Sequence, residues 1–378
     1  MLDHLPYGVF RQSGGETRCA ARWGDQLIDL HAAESRGAIS AGGALLAPTL
    51  QTFLAAGLQV WSGVREQLLD LATSDRAAEF GVPLAEVELV LPFEVADYVD
   101  FYSSEHHASN VGQIFRPGQP PLLPNWRHLP IGYHGRAGTV VVSGTPIRRP
   151  AGMLSPGVAG PCQRLDIEAE VGFVVGVPSE LGTAVPASDF AKHVFGVVLV
   201  NDWSARDIQA FEYQPLGPFL GKSFATSISA WITPMAALDS AWVAAPEQDP
   251  PVVAHLADDP HVGLDLRMSV TWNGVEVSRP PFASMYWTPA QQLAHLTSNG
   301  ASLRTGDLFA SGTVSGPSRD QVGSFLELTW GGAEPVDLDG VKRTFLGDGD
   351  EVVISAYAPG SDGSRVELGS VEGKIRSN

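Results

Sequence analysis

The sequence predicts a mostly β fold of the α+β class, and three observations support this prediction. Glycine and proline account for 41 and 28 of the 378 residues, so turns interrupt the chain often and long helices should be few. Short apolar segments with turn signals between them recur over most of the length. Hydrophobic residues make up 44% and charged residues 17%, which excludes a disordered chain. We therefore expect a β-sandwich or barrel-like body.

Residues 1–92 are predicted to form a small N-terminal domain. Three short strands are expected, over residues 7–11, 17–23 and 26–30. Two helices should follow, and the second carries one apolar stripe at helical spacing, formed by Trp61, Val64, Leu68 and Leu71. This stripe must pack on a core. A strand over residues 87–91 ends at Pro92, and we place the domain boundary there.

Residues 93–378 are predicted to form a second domain made of successive strands. The expected strands are residues 138–143, 167–177, 195–200, 264–272, 308–311, 325–330 and 351–357. Turn signals separate them, and few segments have the apolar spacing of an amphipathic helix. This pattern is typical of a sandwich or a barrel.

Charge and residue patterning exclude several classes of protein. Asp and Glu total 42 against 24 Lys and Arg, a formal net charge of −18 that repels phosphate backbones, so we expect no nucleic-acid partner. The longest apolar runs, residues 171–177 and 195–200, are too short to span a bilayer. The N-terminus lacks the pattern of a secretory signal, so a cytoplasmic location is expected. Cys19 and Cys162 lack zinc-ligand spacing and are expected to be packing residues.

Four acidic residues are candidates for a metal site. Glu168 and Glu170 alternate with apolar residues, so they share one face of a strand, about 7 Å apart. An ordinary solvated face is the alternative. Asp202 closely follows residues 195–200, whose continuous apolarity indicates a strand buried on both faces. If Asp100 converged with these three, their repulsion would require a central cation, and oxygen-only ligation favours Mg²⁺, Ca²⁺ or Mn²⁺.

Polar residues beyond Asp202 suit the orientation of a polar substrate. Ser204 is expected to cap a short helix. One face of this helix carries three hydrogen-bonding groups of different type, from Arg206, Gln209 and Tyr213. A plain solvated face is the alternative.

Lys222 lies in an apolar segment and is one of four lysines in the chain. A desolvated lysine can stabilise an oxyanion or an enolate, whereas an ordinary surface lysine is the alternative. Residues 217–223 read G-x-x-x-G-K-S, one residue short of a P-loop, and they follow a predicted helix, so we reject a nucleotide site. The sequence also lacks the serine-hydrolase, zinc-protease and dinucleotide motifs.

A histidine and a glutamate are candidates for an acid–base pair. His106 and His107 lie in a polar stretch beyond Asp100, and adjacent side chains point in different directions, so at most one of them faces a site. Glu327 is an acid within the apolar segment 325–330, and a buried acid needs a partner. A carboxylate would fix the tautomer of a histidine and raise its basicity. The alternatives are an ordinary histidine and a solvent-facing strand position.

Across these positions the sequence resembles the fumarylacetoacetate hydrolase family. The matching segments are residues 100–104 with His107, 123–150, 165–170, 201–231, 310–316 and 323–330. They recur in order after Pro92, and the runs over residues 201–209 and 215–223 are far more specific than an isolated Glu-x-Glu. The N-terminal domain resembles the family only loosely. Ala169 stands where relatives carry a larger residue, and residues 244–262 are hard to align.

The resemblance implies a fold and a reaction. The fold would be a small SH3-like domain of residues 1–92 and a mixed β-sandwich roll of residues 93–378, assembled as a homodimer. The reaction would be metal-dependent hydrolysis of the carbon–carbon bond of 4-fumarylacetoacetate, a small dioxo acid, to fumarate and acetoacetate, the last step of tyrosine and phenylalanine breakdown. One alternative is a hydrolase or decarboxylase of another short dioxo acid. A second is a catalytically silent metal-carboxylate binding protein.

The resemblance also implies a role for each candidate residue. One divalent cation, Mg²⁺ or Ca²⁺ with Mn²⁺ as an alternative, would be ligated without any organic cofactor by Asp100, Glu168, Glu170 and Asp202. His107 and Glu327 would form a base dyad. Developing negative charge would be bound by Arg206, Gln209 and Lys222, and the substrate would be held by Tyr102, Arg116, Tyr213 and Thr313. A second, peripheral cation would lie near Thr226 and Lys222, which could ligate only through its backbone carbonyl.

Overall fold

The computed structural model describes residues 4–377, and over this range the chain is mostly β, as the sequence predicts. Residues 1–3, part of the N-terminal segment that argues against a secretory signal, lie outside the described residues. Within residues 4–377 no helix is both long enough and apolar enough to cross a membrane. Cys19 and Cys162 are free and buried, which confirms that they are packing residues.

The N-terminal part contains short strands and three helices, where two helices were expected. The strands are β1 (Tyr7–Gln12), β2 (Thr17–Trp23), β3 (Gln26–Asp29), β4 (Gly81–Pro83) and β5 (Val87–Val90), and the helices are α1 (Leu30–Ser35), α2 (Gln51–Ala55) and α3 (Leu58–Thr73). Helix α1 follows β3 directly because the Asp29 side chain caps it, accepting the Ala32 N–H at 2.9 Å. The predicted apolar stripe of α3 is buried.

The chain after Pro92 is dominated by strands. These are β6 (Tyr98–Phe101), β7 (Gly132–His134), β8 (Val140–Val142), β9 (Ile147–Arg148), β10 (Ala151–Ser155), β11 (Val158–Pro161), β12 (Leu165–Asp166), β13 (Ala169–Val175), β14 (Val194–Asp202), β15 (Ser204–Ala205), β16 (Thr226–Ile228), β17 (Trp231–Pro234), β18 (Trp242–Ala244), β19 (Val262–Leu264), β20 (Arg267–Trp272), β21 (Val275–Ser278), β22 (Leu308–Ala310), β23 (Val336–Leu338), β24 (Val341–Arg343), β25 (Glu351–Pro359) and β26 (Arg365–Arg376). The helices are α4 (Glu105–Phe115), α5 (Phe190–His193), α6 (Arg206–Glu212), α7 (Pro289–Thr297) and α8 (Phe325–Leu328). Each predicted strand is found at least in part, except residues 325–330.

Two sheets form the body of the molecule. The larger sheet has 13 strands, and its main path runs β4-β3-β2-β1-β17-β14-β13-β22-β6-β7, with β5 beside β1 and β16 between β14 and β8. Tyr7 of β1 pairs with Ile232 of β17, so the N-terminal strands extend the sheet of the C-terminal part. The smaller sheet has five strands in the order β21-β20-β25-β26-β9.

Strands β13 and β14 are buried on both faces. Phe173 of β13 belongs to a core that includes Trp272 of the smaller sheet. Val174, on the opposite face, belongs to a core that includes the N-terminal helices α2 and α3. The solvated-face alternative for the two glutamates is therefore wrong, since Glu168 is 5% and Glu170 0% exposed.

Two local predictions are wrong, and each has a physical reason. Residues 325–330 do not form a strand, because Ser324 accepts the Glu327 N–H at 3.3 Å and starts the one-turn helix α8. The spacing Ser-x-x-Glu is itself a helix-start signal that competes with the apolar pattern. Ser204 does not cap α6, since it lies in β15 and its hydroxyl donates to the Asp202 carbonyl at 3.0 Å.

His4 makes the N-terminal part sensitive to acid. Burial and the charges of Arg22 and Arg65 lower the pKa of His4 to about 4, whereas an unfolded chain titrates near 6.5. Between these values the unfolded state binds a proton that the folded state does not, so stability falls as the pH is lowered from 7 toward 4. We expect His4→Gln to reduce the loss of unfolding free energy between pH 7.5 and pH 5 by about 1 kcal/mol, allowing for the partial exposure of His4. Urea unfolding of wild type and His4→Gln at pH 7.5 and pH 5 measures this difference. Equal losses of unfolding free energy in the two proteins would contradict the prediction.

Candidate active site and metal centre

Four carboxylates from neighbouring strands meet at one buried point. Asp100 lies on β6, Glu168 directly precedes β13, Glu170 lies at the start of β13, and Asp202 ends β14. The Asp202 N–H donates to the Glu168 carbonyl at 3.1 Å, which fixes the register of these strands at the site. One ligand atom from each of the four acids can be chosen so that all lie within 4.8 Å of one another. The structure thus brings together all four acids predicted as metal ligands.

The charges of these acids are only partly compensated by the protein. Asp100 Oδ1 and both carboxylate oxygens of Glu170 are buried without a hydrogen-bond partner among the described residues. Burial, reinforced by the neighbouring carboxylates, raises the pKa of Asp100 and of Glu170 well above the usual range. Burial also acts to raise the pKa of Glu168, but the charges of Lys222 and Arg206 outweigh it and hold the pKa below its ordinary value. Unpartnered buried oxygens in an oxygen-only donor set fit a hard divalent cation.

Lys222 is buried beside the acids, so the surface alternative for this lysine is wrong. Its Nζ forms a short contact with Glu168 Oε2 and donates to Asp202 Oδ2 at 2.7 Å. Burial alone would lower the pKa of Lys222, but the two carboxylates raise it above its ordinary value, so the ammonium stays charged. Thr226 donates its hydroxyl to Asp202 Oδ1 at 2.9 Å. The second cation near Lys222 and Thr226 stays a prediction.

His107 and Glu327 form a buried pair. His107 Nδ1 lies 2.7 Å from Glu327 Oε2, and Glu327 also accepts hydrogen bonds from Asn110 at 2.9 Å, Ser315 at 3.0 Å and Ser324 at 2.7 Å. Burial acts to raise the pKa of Glu327, but the interaction with His107 and the hydrogen bonds from Asn110 and Ser324 hold it below its ordinary value. An ionised Glu327 accepts the Nδ1 proton, which leaves Nε2 as the basic nitrogen. The solvent-facing alternative for Glu327 is wrong.

The basic nitrogen of His107 faces the acid cluster. His107 lies in the first turn of α4, where the Ser104 hydroxyl accepts its N–H at 3.2 Å. Its side chain is 2% exposed, and Nε2 lies 3.8 Å from Glu168 Oε1. Tyr102 packs edge-on against the imidazole with the ring centroids 5.3 Å apart. The site therefore places a base next to the carboxylates that could hold a metal.

Arg206 borders the acid cluster through Glu168 and keeps one donor without a partner among the described residues. Its Nε donates to Asp166 at 2.8 Å, and its Nη1 lies 2.9 Å from Glu168 Oε1 and 3.2 Å from Gln209 Oε1. Its Nη2 is buried and has no partner among the described residues, and the same holds for the hydroxyl of Thr313. Buried donors without partners are costly unless a ligand accepts from them, so both groups are suited to bind a substrate.

Two of the predicted substrate residues lie further out. Tyr213 is 38% exposed at the end of α6, and its hydroxyl accepts from Gln214 at 2.9 Å. Arg116 ends α4 and donates to the Pro121 carbonyl at 2.9 Å. Within residues 4–377 neither side chain hydrogen-bonds to the acid cluster, so their substrate roles stay predictions.

The structure adds residues to which sequence reasoning gave no role. Tyr133 of β7 donates its hydroxyl to Asp202 Oδ2 at 3.0 Å, and Asp166 binds Arg206. Asn110 and the hydroxyls of Ser315 and Ser324 donate hydrogen bonds to Glu327. Tyr133 and Asp166 lie inside segments that carry the family resemblance, but neither has a pattern of its own that indicates a contact so distant in sequence.

Comparison with known proteins shows the family to which this chain belongs. A family model described as Fumarylacetoacetase N-terminal matches residues 3–92, and one described as Fumarylacetoacetate (FAA) hydrolase C-terminal matches residues 97–376. The fumarylacetoacetase of Bos taurus is 45% identical over 400 residues, covering 99% of this chain and 95% of the relative. That of Arabidopsis thaliana is 42% identical over 401 residues, covering 99% of this chain and 95% of the relative.

Solved structures show the same fold at lower sequence identity. Fumarylacetoacetate hydrolase from Exiguobacterium antarcticum aligns with a TM-score of 0.59 at 18% identity, covering 99% of this chain and all of its own. Maleylpyruvate hydrolase from Sphingobium aligns with a TM-score of 0.55 at 16% identity, covering 98% of this chain and all of its own. With the two family models matching nearly the whole length, this chain belongs to the fumarylacetoacetate hydrolase family.

Proposed function

We propose that this protein hydrolyses the carbon–carbon bond of 4-fumarylacetoacetate to give fumarate and acetoacetate, the last step of tyrosine and phenylalanine breakdown. The observation that carries the proposal is the buried His107–Glu327 pair facing four carboxylates, of which Asp100 and Glu170 have oxygens without a partner among the described residues. The names of relatives that are 42–45% identical over nearly the full length support the same substrate.

The base in this reaction is His107. Glu327 accepts the proton on Nδ1, so Nε2 is free to take a proton from water at the face that borders Glu168. The resulting hydroxide adds to the carbonyl on the fumaryl side, and the bond to the methylene group breaks, with acetoacetate leaving as its enolate. The imidazolium then supplies the proton that the enolate carbon needs. General-base catalysis of this kind contributes about 10²- to 10⁴-fold.

Three side chains stabilise the negative charge that develops on the attacked carbonyl. Arg206 Nη2 has no partner in the described part of the chain, and the Gln209 oxygen already accepts from Arg206, which leaves the Gln209 amide nitrogen to donate. The Lys222 ammonium is fixed by two carboxylates beside the same space. Each donor of this type contributes on the order of 10²- to 10³-fold.

A divalent cation held by Asp100, Glu168, Glu170 and Asp202 would supply Lewis-acid stabilisation for an oxygen of the diketone. We take Mg²⁺ or Ca²⁺ as the cation, with Mn²⁺ as an alternative and without an organic cofactor, because all four donors are carboxylates. A second cation near Lys222 and Thr226, a homodimeric assembly and a cytoplasmic location are part of the same proposal. The proposed substrate contacts are Tyr102, Arg116, Tyr213 and Thr313.

Two other functions make different predictions. A hydrolase or decarboxylase of another short dioxo acid would use the same acids, and maleylpyruvate hydrolase is one structural neighbour with such a substrate in its name. A silent metal-carboxylate binding protein would bind fumarylacetoacetate without turnover, and the His107–Glu327 pair argues against this. Loss of fumarylacetoacetate absorbance, with both products identified, separates these functions. Turnover to fumarate and acetoacetate supports the proposal. Binding without turnover rejects it, and release of CO₂ rejects it as well.

Chelation provides a further prediction. Because the four proposed ligands include no Cys or His, EDTA treatment should abolish hydrolysis, and Mg²⁺, Mn²⁺ or Ca²⁺ should restore it more readily than Zn²⁺. Elemental analysis of the stripped protein verifies that the metal has been removed. Full activity in verified metal-free protein would contradict the assignment of the site.

A further inference from the structure

Asp166 is a fully buried carboxylate whose two oxygens accept four hydrogen bonds from the protein. Oδ1 accepts the N–H groups of Ile167 and Phe325, both at 2.8 Å. Oδ2 accepts the Leu326 N–H at 3.0 Å and Arg206 Nε at 2.8 Å. Its exposed fraction is 0%, so these contacts replace solvent completely.

These contacts join two parts of the proposed machinery that are far apart in sequence. On one side Asp166 holds Nε of Arg206, whose Nη2 is the unpartnered donor. On the other side it holds the backbone of Phe325 and Leu326, which directly precede Glu327. Asp166 therefore touches the segment that orients the base and the side chain that stabilises the oxyanion.

We propose that Asp166 is a positioning residue that sets the oxyanion donor Arg206 and the His107–Glu327 pair in one fixed geometry. The inference rests on the proposed function. It assigns to Asp166 a role through other residues, since the four carboxylates that would hold a cation do not include it.

A carboxylate is required at this position because all four groups around it are donors. An asparagine would offer one oxygen and one NH₂ group. The NH₂ group would face either the backbone N–H groups or the arginine, so at least one donor would be left unpaired in a buried place. Arg206 or the segment before Glu327 would then shift, and a displacement of about 1 Å is enough to cost on the order of 100-fold in rate.

The test compares Asp166→Asn with Asp207→Asn, a matched control on the adjacent helix. Asp207 also binds a backbone amide, that of Gln163 at 2.6 Å, but it does not contact Arg206 or Glu327 by a hydrogen bond. We expect Asp166→Asn to lower kcat for fumarylacetoacetate about 100-fold or more, with KM and Mg²⁺ affinity within about threefold of wild type. We expect Asp207→Asn to stay within about threefold in all three quantities.

Two further measurements distinguish positioning from a general structural role. In Arg206→Ala, added guanidinium should occupy the site beside Asp166 and raise kcat at least tenfold. In Arg206→Ala/Asp166→Asn the same addition should have less than a twofold effect. This double variant removes both charges of the buried pair and keeps the test available if Asp166→Asn alone fails to fold.

The second measurement is the NMR resonance of the His107 Nδ1 proton, which reports the hydrogen bond to Glu327. It should shift or broaden in Asp166→Asn and stay unchanged in Asp207→Asn. Equal guanidinium rescue in both backgrounds, or an unchanged resonance with normal kcat in Asp166→Asn, would overturn the inference. An inactive wild-type protein would reject the proposed function instead, and the resonance would still decide the role of Asp166.

Discussion

Replacement of His107 by alanine should lower kcat for fumarylacetoacetate hydrolysis by about 10³-fold or more, because the reaction loses its general base. Cation binding should stay intact, since His107 is not one of the four carboxylates. The fold should tolerate the change, because Ser104 caps α4 through its hydroxyl and needs only the backbone of residue 107. Steady-state kinetics, Mg²⁺ titration and thermal unfolding of the variant check the three parts.

Glu327→Gln tests whether the two residues act as a unit. The amide keeps the size of the side chain but loses the negative charge. Because that charge stabilises the imidazolium, its loss should move the acidic limb of the pH–rate profile to lower pH. The double variant with His107→Ala should be barely worse than the worse single variant. His106→Ala is the matched control and should keep near-normal kcat. Multiplicative losses, or an unshifted profile in Glu327→Gln, would show that the pair is not a dyad.

Glu170→Gln should remove the cation and the activity together while leaving the fold intact. Within residues 4–377 neither Glu170 oxygen has a hydrogen-bond partner, and burial with the nearby Asp100 carboxylate raises the pKa of Glu170. A neutral amide relieves this cost, so the metal-free variant should be at least as stable as metal-free wild type. Cation affinity should fall on the order of 100-fold, because one of four charged ligands is lost. Calorimetric Mg²⁺ titration and urea unfolding of both metal-free proteins measure the two effects.

Two comparisons complete this test. Glu180→Gln, at an exposed position, should change neither the Mg²⁺ affinity nor the stability of the metal-free protein. Asp202→Asn or Asp202→Ala should also abolish activity mainly through lost cation, but it should destabilise the metal-free protein, since Lys222, Thr226 and Tyr133 all bind Asp202. Normal Mg²⁺ affinity in both Glu170→Gln and Asp202→Asn would show that these acids do not form the cation site.

Strand patterning indicated part of the acid cluster because its signal is local. Alternation placed Glu168 and Glu170 on one face without deciding whether that face is buried, and the apolar run before Asp202 indicated a buried strand end. The set of four ligands followed from the family resemblance. What alternation could not show is how the strands are ordered. Asp100 joins the cluster only because β6 pairs in parallel with β22, which in turn pairs with β13.

The one-turn helix at Glu327 and the role of Asp166 could not be predicted in the same way. Four residues, Phe325–Leu328, are too few for a helical period to be distinguished from an alternating one, and the Ser324 cap decides between them. Asp166 meets Phe325 across 159 positions, and a contact of that kind depends on tertiary packing rather than on local sequence. The N-terminal strands also extend the larger sheet, which their own spacing does not indicate.

Product analysis in H₂¹⁸O tests most directly whether His107 delivers water to the fumaryl carbonyl of fumarylacetoacetate. Wild-type protein loaded with Mg²⁺ should release fumarate and acetoacetate in equal amounts, with one ¹⁸O atom in the new carboxylate of each fumarate. The His107→Ala variant with bound Mg²⁺ should release almost none. Cleavage at the other ketone, release of CO₂, or substrate binding without turnover by the metal-loaded wild type would contradict the account.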